Sequence, residues 1–590
     1  MQHSIKVLLK GLWPHIAPRR RIQFLGLLFL MIFASFAEMV SIGAVIPFLA
    51  VLTSPERVFE HQYAQPMIHV LGILEPEQLL LPLTIAFGFA TIIAGGMRLM
   101  LLKSSTRLSF STGSDLSIRI YRRTLYQPYA VHVARNSSEI INGISQKSNA
   151  VAYTTIFPIL SLVSSSVMLI AILAALFSLD PIIALVAFGG FGVLYVSVTY
   201  TTRARKILNS QHIARESTQV IKSLQEGLGG IRDVLIDGTQ EAFCQIYRNA
   251  DLQLRRAQGD NQYISQAPRY IMEALGMILI AVLAYVLAQQ PSGIVSAIPI
   301  LGALALGAQR LLPVMQQAYV AWSSMQGGLA SLQDTLNLLN QPLPEHADQI
   351  SVRPLPFLSH IKLRQVSFRY SQQTPWVLKN LDLTITKGSR VGFIGATGSG
   401  KSTLIDVLMG LLQVTEGSLR IDGQVISPTN NSAWQAHVAH VPQVIFLADS
   451  TIEENIAFGV HKDQIDSLRV RKAAQQAQIS EAIESWPKQY QTFVGERGIR
   501  LSGGQRQRIG IARALYKQAD VIIFDEATSA LDNETEQAVM QAIEGLSKDL
   551  TLLIIAHRLT TLKKCTQIVE LANNRVLREG SYNDIIASKN

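Results

Sequence analysis

Val391-Gly-Phe-Ile394-Gly395-Ala-Thr397-Gly398-Ser399-Gly400-Lys401-Ser402-Thr403 decides how the C-terminal part of this chain must fold. Val391 to Ile394 reads as an apolar strand and Leu404 to Leu411 as a helix, so the glycine-rich turn joins a strand end to a helix start. In that setting the glycines let successive backbone N–H groups face one anion, and the helix N-terminus adds its dipole. Lys401 then reaches the outer phosphates of a nucleotide, and the Ser402 hydroxyl is a ligand for Mg²⁺.

Downstream, Val521-Ile-Ile-Phe-Asp525-Glu526 is a short apolar strand ending in two carboxylates. A buried strand delivers Asp525 beside the loop, where it holds Mg²⁺ through water, and places Glu526 to polarise an attacking water. Alone, the pair reads better as a strand-end helix cap; a phosphate loop upstream favours catalysis. Between the two motifs stands Leu501-Ser502-Gly503-Gly504-Gln505, followed by Arg506-Gln-Arg-Ile-Gly-Ile-Ala-Arg513. On these residues the chain resembles the ABC transporter family, whose signature sequence this is, and the resemblance spans nearly the whole chain.

The resemblance implies further roles. Ser502, Gly503, Gly504 and Gln505 form a second phosphate clamp, Tyr370 stacks on adenine, and Gln443 contacts Mg²⁺ and senses the membrane domain. Val494 to Gly498 matches the cross-talk segment of exporters. Ser529-Ala-Leu-Asp532 matches the loop that communicates across a dimer, and His557 matches the γ-phosphate switch. In this family ATP lies between the phosphate loop of one ATPase domain and the signature of another. One chain holds one of each, with every motif intact, so a homodimer with two competent sites is implied.

Moving toward the N-terminus, Pro342, Pro344, Pro354 and Pro356 interrupt any helix, so residues 337–357 read as a linker between a membrane domain, 1–336, and a nucleotide-binding domain, 358–590. Six apolar segments reach the length that crosses about 30 Å of hydrocarbon: Ile22 to Leu52, Leu80 to Leu102, Ala152 to Ser178, Pro181 to Tyr200, Ile271 to Leu287 and Ile294 to Val320. The expected fold class is therefore an all-α six-helix transmembrane domain joined to an α/β P-loop nucleotide-binding domain. The first segment follows Arg19, Arg20 and Arg21 but is too long for a signal peptide, and it is expected to be a retained span.

Charge sets the orientation. The connection Lys103 to Ala150 carries seven Lys or Arg and Thr201 to Pro268 carries nine, whereas the opposite-side connections hold Arg57 alone. The basic connections and the ATPase domain are cytoplasmic by this rule. The formal charge of +10 is thereby explained without nucleic acid. Cys244 and Cys565 are isolated thiols that form no metal or disulfide pattern. The two basic connections, 48 and 68 residues long, exceed ordinary structureless loops. They read as spanning helices continued into the cytosol and bridged near Tyr129 to Asn136 and Arg232 to Gly238, with peripheral amphipathic helices as the other reading.

Ionisable residues within spans cost roughly 2.5 to 3.5 kcal/mol each at the bilayer centre. Glu38 and Arg310 lie deep enough to need a polar cavity or each other, while Arg98 and Arg269, at cytoplasmic ends, either snorkel or join them; Glu273 lies just inside the fifth span. The architecture resembles type IV exporters, integral to the plasma (inner) membrane. Phe36 to Pro47, Pro268 to Gly276 and Arg310 to Pro313 most resemble flippases of the PglK type, which turn lipid-linked oligosaccharides. That resemblance implies that Arg98, Arg269 and Arg310, with Glu38, contact a pyrophosphate-linked substrate; Gln317 departs from it, standing where a basic residue is expected. A glycan headgroup loses about 1 to 3 kcal/mol for each hydroxyl buried unpaired, so an ATP-driven wet cavity suits such a lipid. Two alternatives remain: export of another lipid, small amphiphile or peptide, and an ATP-gated channel or channel regulator.

Overall fold

The computed structural model describes residues 5–53, 55–60, 65, 68–69, 72–179, 181–288, 311–344, 347, 353–526, 533–556 and 559–587. The chain divides into two compact units, one of Met1–Gln127 with Arg135–Pro342 and one of Pro128–Ala134 with Leu343–Asn590. The helix Leu329–Leu339 runs into the stretch read as linker, and Phe357, at that stretch's end, is buried in the core of the second unit.

The first unit is a bundle of unusually long helices. Leu80–Leu125 has 46 residues, and Pro181–Gly229 and Gln240–Ala288 have 49 each. At 1.5 Å per residue these span about 70 Å, more than twice a hydrocarbon core. The apolar and basic portions recognised in the sequence are thus single continuous helices. Among the described residues, Pro18–Ser41, Pro76–Leu125 and Ser137–Ala174 are long and apolar enough to cross a membrane. Ile85, Phe89, Ile92 and Leu99 form an exposed stripe along one of them, a face that only lipid solvates without cost. The sixth expected span lies partly outside the described residues, which resume in a helix at 311–327.

Short helices occur where bridges were expected, at Tyr129–Ala134 and Ile231–Ile236. The first groups with the second unit. The chain entering the third span departs from the expected continuous α-helix: π-helical turns occupy Gly143–Lys147 and Ala152–Ile156. Each inserts an extra residue per turn and re-aims the following side chains.

Lys206 is 1 % exposed on the basic extension of the Pro181–Gly229 helix. Its ammonium donates to the carbonyl of Asn261 and the hydroxyl of Ser265, both at 2.7 Å. Burial pulls its pKa down from 10.5 to about 8. From about pH 8 to 10.5 the unfolded chain therefore holds a proton that the folded chain has shed, and stability rises with pH across that window. Thermal melts of Lys206→Met across this range should lack that rise; an unchanged slope would contradict this account.

The second unit is built on a six-stranded sheet in the order β10-β9-β3-β8-β7-β6 and a four-stranded sheet β2-β1-β4-β5. The strands are β1 (His360–Phe368), β2 (Leu378–Thr386), β3 (Arg390–Gly395), β4 (Glu416–Ile421), β5 (Gln424–Val425), β6 (Val438–Val441), β7 (Val521–Asp525), β8 (Thr551–Ile555), β9 (Gln567–Ala572) and β10 (Arg575–Gly580). On β7, Val521 and Ile523 enter one core and Ile522 and Phe524 the other, as expected of a strand covered on both faces. β3 pairs in parallel with β8 and β9, and β7 in parallel with β6 and β8. The carboxyl ends of β3, β6, β7 and β8 therefore share one sheet edge, where open α/β sheets bind ligands.

Candidate nucleotide site and membrane cavities

At that edge β3 runs into the glycine loop and then into the helix Lys401–Leu408. Two of its glycines are irreplaceable on geometric grounds. Gly395 has φ 147°, and a Cβ there would stand 2.3 Å from the carbonyl oxygen of Leu571. Gly400 has φ 96°, and its Cβ would stand 2.9 Å from the carbonyl oxygen of Val377. Lys401, 7 % exposed, folds across the loop so that Nζ donates to the carbonyls of Gly395 at 2.8 Å and Ala396 at 3.0 Å. The buried hydroxyl of Ser399 has no partner. A cradle closed to side chains, a lysine curled within it and an orphaned donor fit a polyphosphate.

Asp525 ends β7 beside Ile555 of β8. Glu526 follows with φ 50°, a backbone conformation that costs a residue with a Cβ about 1 to 3 kcal/mol, and its N–H donates to the carbonyl of Ile555 at 3.1 Å. The sheet thus holds Glu526 in strained geometry at the loop. Asp406, on the Lys401–Leu408 helix, escaped the sequence reading because no motif carries it. Burial, and secondarily the charge of Asp525, push its carboxyl from 3.8 up to about 6. Tyr129 is a further addition: burial raises its phenol, with Asp406 and then Tyr370 adding to the effect.

Between pH 3.8 and about 6 the folded chain keeps a proton on Asp406 that the unfolded chain has lost, so stabilisation present at low pH disappears as pH rises through 6. Asp406→Asn should raise the melting temperature at neutral pH by about 2–4 °C, equivalent to about 1 kcal/mol after solvent screening. The gain should vanish below pH 3.8. An equal gain at both extremes, in calorimetry without nucleotide, would contradict the assignment.

The signature residues open the helix Gly503–Lys517. Ser502 is its N-cap: Ser502 Oγ accepts from the N–H of Gln505 at 3.2 Å, and Gln505 Oε1 accepts from the N–H of Ser502 at 2.9 Å. This reciprocal capping box is written in the sequence as Ser-x-x-Gln and fixes the helix start, with Ser502 and Gly503 exposed. Gln443 follows β6, and its carbonyl accepts from Nε2 of Gln507 at 2.8 Å, tying that loop to the signature helix. Tyr370 is 55 % exposed, its hydroxyl 3.2 Å from Thr403 Oγ1. Asp532 and His557 lie outside the described residues.

In the first unit, the charged candidates fall in two cavities. A cavity of about 900 Å³ is lined by Arg269, Glu273, Gln266, Gln316 and Gln317 together with aromatic residues. Arg269 Nε lies 2.8 Å from Glu273, one turn along the same helix. Arg98 lines a second cavity of about 330 Å³ and sits 2.6 Å from Glu38, which is 2 % exposed. The sequence placed Glu38 opposite Arg310 as one option; Arg310 lies outside the described residues, and Glu38 has Arg98 on it. Packing of Pro18–Thr53 on Leu80–Leu125 brings these two together, an azimuth that hydropathy does not encode.

A phosphate cradle, strand-borne carboxylates and a capped signature helix on one unit, and a bundle of long lipid-facing helices on the other, define an ATPase coupled to membrane transport. Comparison with known proteins agrees. The model for the ABC transporter transmembrane region matches residues 22–294, and that for the ABC transporter matches 378–529. An ATP-dependent lipid A-core flippase from Syntrophus aciditrophicus is 30 % identical over 491 residues, covering 81 % of this chain and 78 % of that protein. Another, from Cupriavidus metallidurans, is 27 % identical over 98 % of this chain and 94 % of its own. The structure of a bacterial Atm1-family ABC exporter with ATP bound superposes with a TM-score of 0.77 over 97 % of this chain and 96 % of that one, at 23 % identity. The chain belongs to the ABC transporter family, as a half-transporter of the type IV exporter class: an integral membrane protein that uses ATP.

Proposed function

We propose that this chain is a homodimeric lipid flippase of the inner membrane, its ATPase domain cytoplasmic, which moves a glycan-bearing lipid and fits a lipid-linked oligosaccharide best. The observation that carries this reading is the 900 Å³ cavity, in which Arg269, Glu273 and glutamines stand among apolar and aromatic side chains. Such a wall hydrates a headgroup while the tail stays in the bilayer. Arg269 and Arg310 suit the phosphates, since guanidinium binds them bidentately. The relatives' activity as lipid A-core flippases supports a lipid as the moved species and favours a second reading, a lipid A-core type glycolipid.

In the nucleotide site, Gly395, Thr397, Gly398, Ser399, Gly400, Lys401 and Thr403 hold the phosphates and Tyr370 the base. Ser402, Gln443 and Asp525 would hold Mg²⁺, which neutralises phosphate charge. Glu526 takes a proton from the attacking water, with His557 at the γ-phosphate. Ser502, Gly503, Gly504 and Gln505 close the site from the second copy, and Asp532 links the copies.

The test is competition. Proteoliposomes moving a fluorescent lipid-linked oligosaccharide should be inhibited by its unlabelled form more strongly than by a lipid A-core glycolipid. The reverse order selects the second reading, and ATP-dependent ion conductance without lipid movement overturns both.

A further inference from the structure

We propose that the smaller cavity, of about 330 Å³, is a sugar subsite: it takes an uncharged hydroxylated ring of the transported headgroup rather than its phosphate. The identity of the ligand as a lipid headgroup rests on the flippase reading above. The cavity has the size of a small-ligand pocket and its polar lining converges from three helices. Ser161, Ser164 and Ser165 stand at i, i+3 and i+4 on one face of Phe157–Leu179, Arg98 comes from Leu80–Leu125, and Gln317 from the helix at 311–327.

Ser165 is the decisive member. It is 2 % exposed, and its buried hydroxyl has no partner. Nearby serines behave differently: Ser105 and Ser166 donate to the carbonyls of Leu101 and Leu162, four residues back. An orphaned hydroxyl in a cavity wall is a donor and acceptor held ready for something else.

Charge then selects the occupant. Among the described residues, the cation on this wall is Arg98, and it already faces the buried carboxylate of Glu38 at 2.6 Å. A phosphate entering here would lie beside a carboxylate that is 2 % exposed, whereas the Arg269–Glu273 pair of the larger cavity is about half exposed and water screens its charges. A sugar hydroxyl brings no charge, and it donates and accepts at once, as serine hydroxyls and the Gln317 carboxamide do. The two cavities share Phe157, Ser161, Pro313 and Gln317, so one headgroup can place its phosphate against Arg269 and a ring against Ser165.

The experiment uses the full chain in nanodiscs, with ATPase stimulation by dodecyl maltoside and by dodecyl phosphate expressed against each variant's own basal rate. Ser165→Ala combined with Ser164→Ala, two residues that line the smaller cavity and not the larger, should raise the half-maximal maltoside concentration about tenfold and leave that of the phosphate within about twofold. Ser165→Thr, which keeps the hydroxyl, should stay close to wild type. An equal shift for both amphiphiles, a shift for the phosphate alone, or no maltoside response in the wild type overturns the subsite. Loss of lipid translocation with the selective maltoside effect intact would overturn the flippase reading and leave the subsite standing.

Discussion

Glu526→Gln should lower steady-state ATP hydrolysis by about 10² to 10⁴-fold, the range for removing a positioned general base. The substitution keeps the shape of the side chain and removes its basicity. Its site supports a catalytic rather than structural role: Glu526 adopts φ 50° immediately after β7, anchored through its N–H to Ile555, in a conformation that an ordinary strand end would avoid. The glycine loop and Lys401 are untouched by the change, so nucleotide binding by equilibrium dialysis should stay near wild type. Hydrolysis within about tenfold of wild type would mean that another group takes the proton.

Mixing two inactive variants should restore activity, an effect as large in the opposite direction. Lys401→Ala removes the ammonium that lies across the glycine loop, within hydrogen-bond reach of Gly395 and Ala396. Gly503→Asp places a carboxylate in the first turn of the signature helix, where it favours the helix but repels a phosphate. Each homodimer then has two broken composite sites. A mixed dimer has one site with both defects and one with neither, so co-expression in equal amounts should return about a quarter of wild-type hydrolysis. No recovery, with mixed dimers demonstrated by dual-tag purification, would mean that the sites are not shared between copies.

Local chemistry was the most legible part of this chain. The glycine loop, the Asp525–Glu526 pair and the signature declare themselves because each needs particular residue types at consecutive positions, and the parallel strands bring several of them to one edge. The long helices were legible too, since apolar runs pass into basic ones without a break. Contacts between distant segments were not. Asp406 owes its raised pKa to burial and to a carboxylate more than a hundred residues away, and Arg98 meets Glu38 only through the azimuth of two packed helices. The π-helical turns at 143–147 and 152–156 lay beyond any periodicity argument, because a single inserted residue leaves the hydrophobic pattern almost unchanged. Ser165 looked like any other serine until the cavity around it was seen.

The measurement that bears most directly on the account is ATP-driven lipid translocation. Proteoliposomes with outward-facing ATPase domains would carry a fluorescent lipid-linked oligosaccharide, and its loss from the outer leaflet would be followed by quenching, for wild type and Glu526→Gln. The account predicts loss that requires ATP in the wild type and falls to the protein-free rate in the variant. Hydrolysis by the wild type with no lipid movement, or equal movement in both proteins, would contradict it.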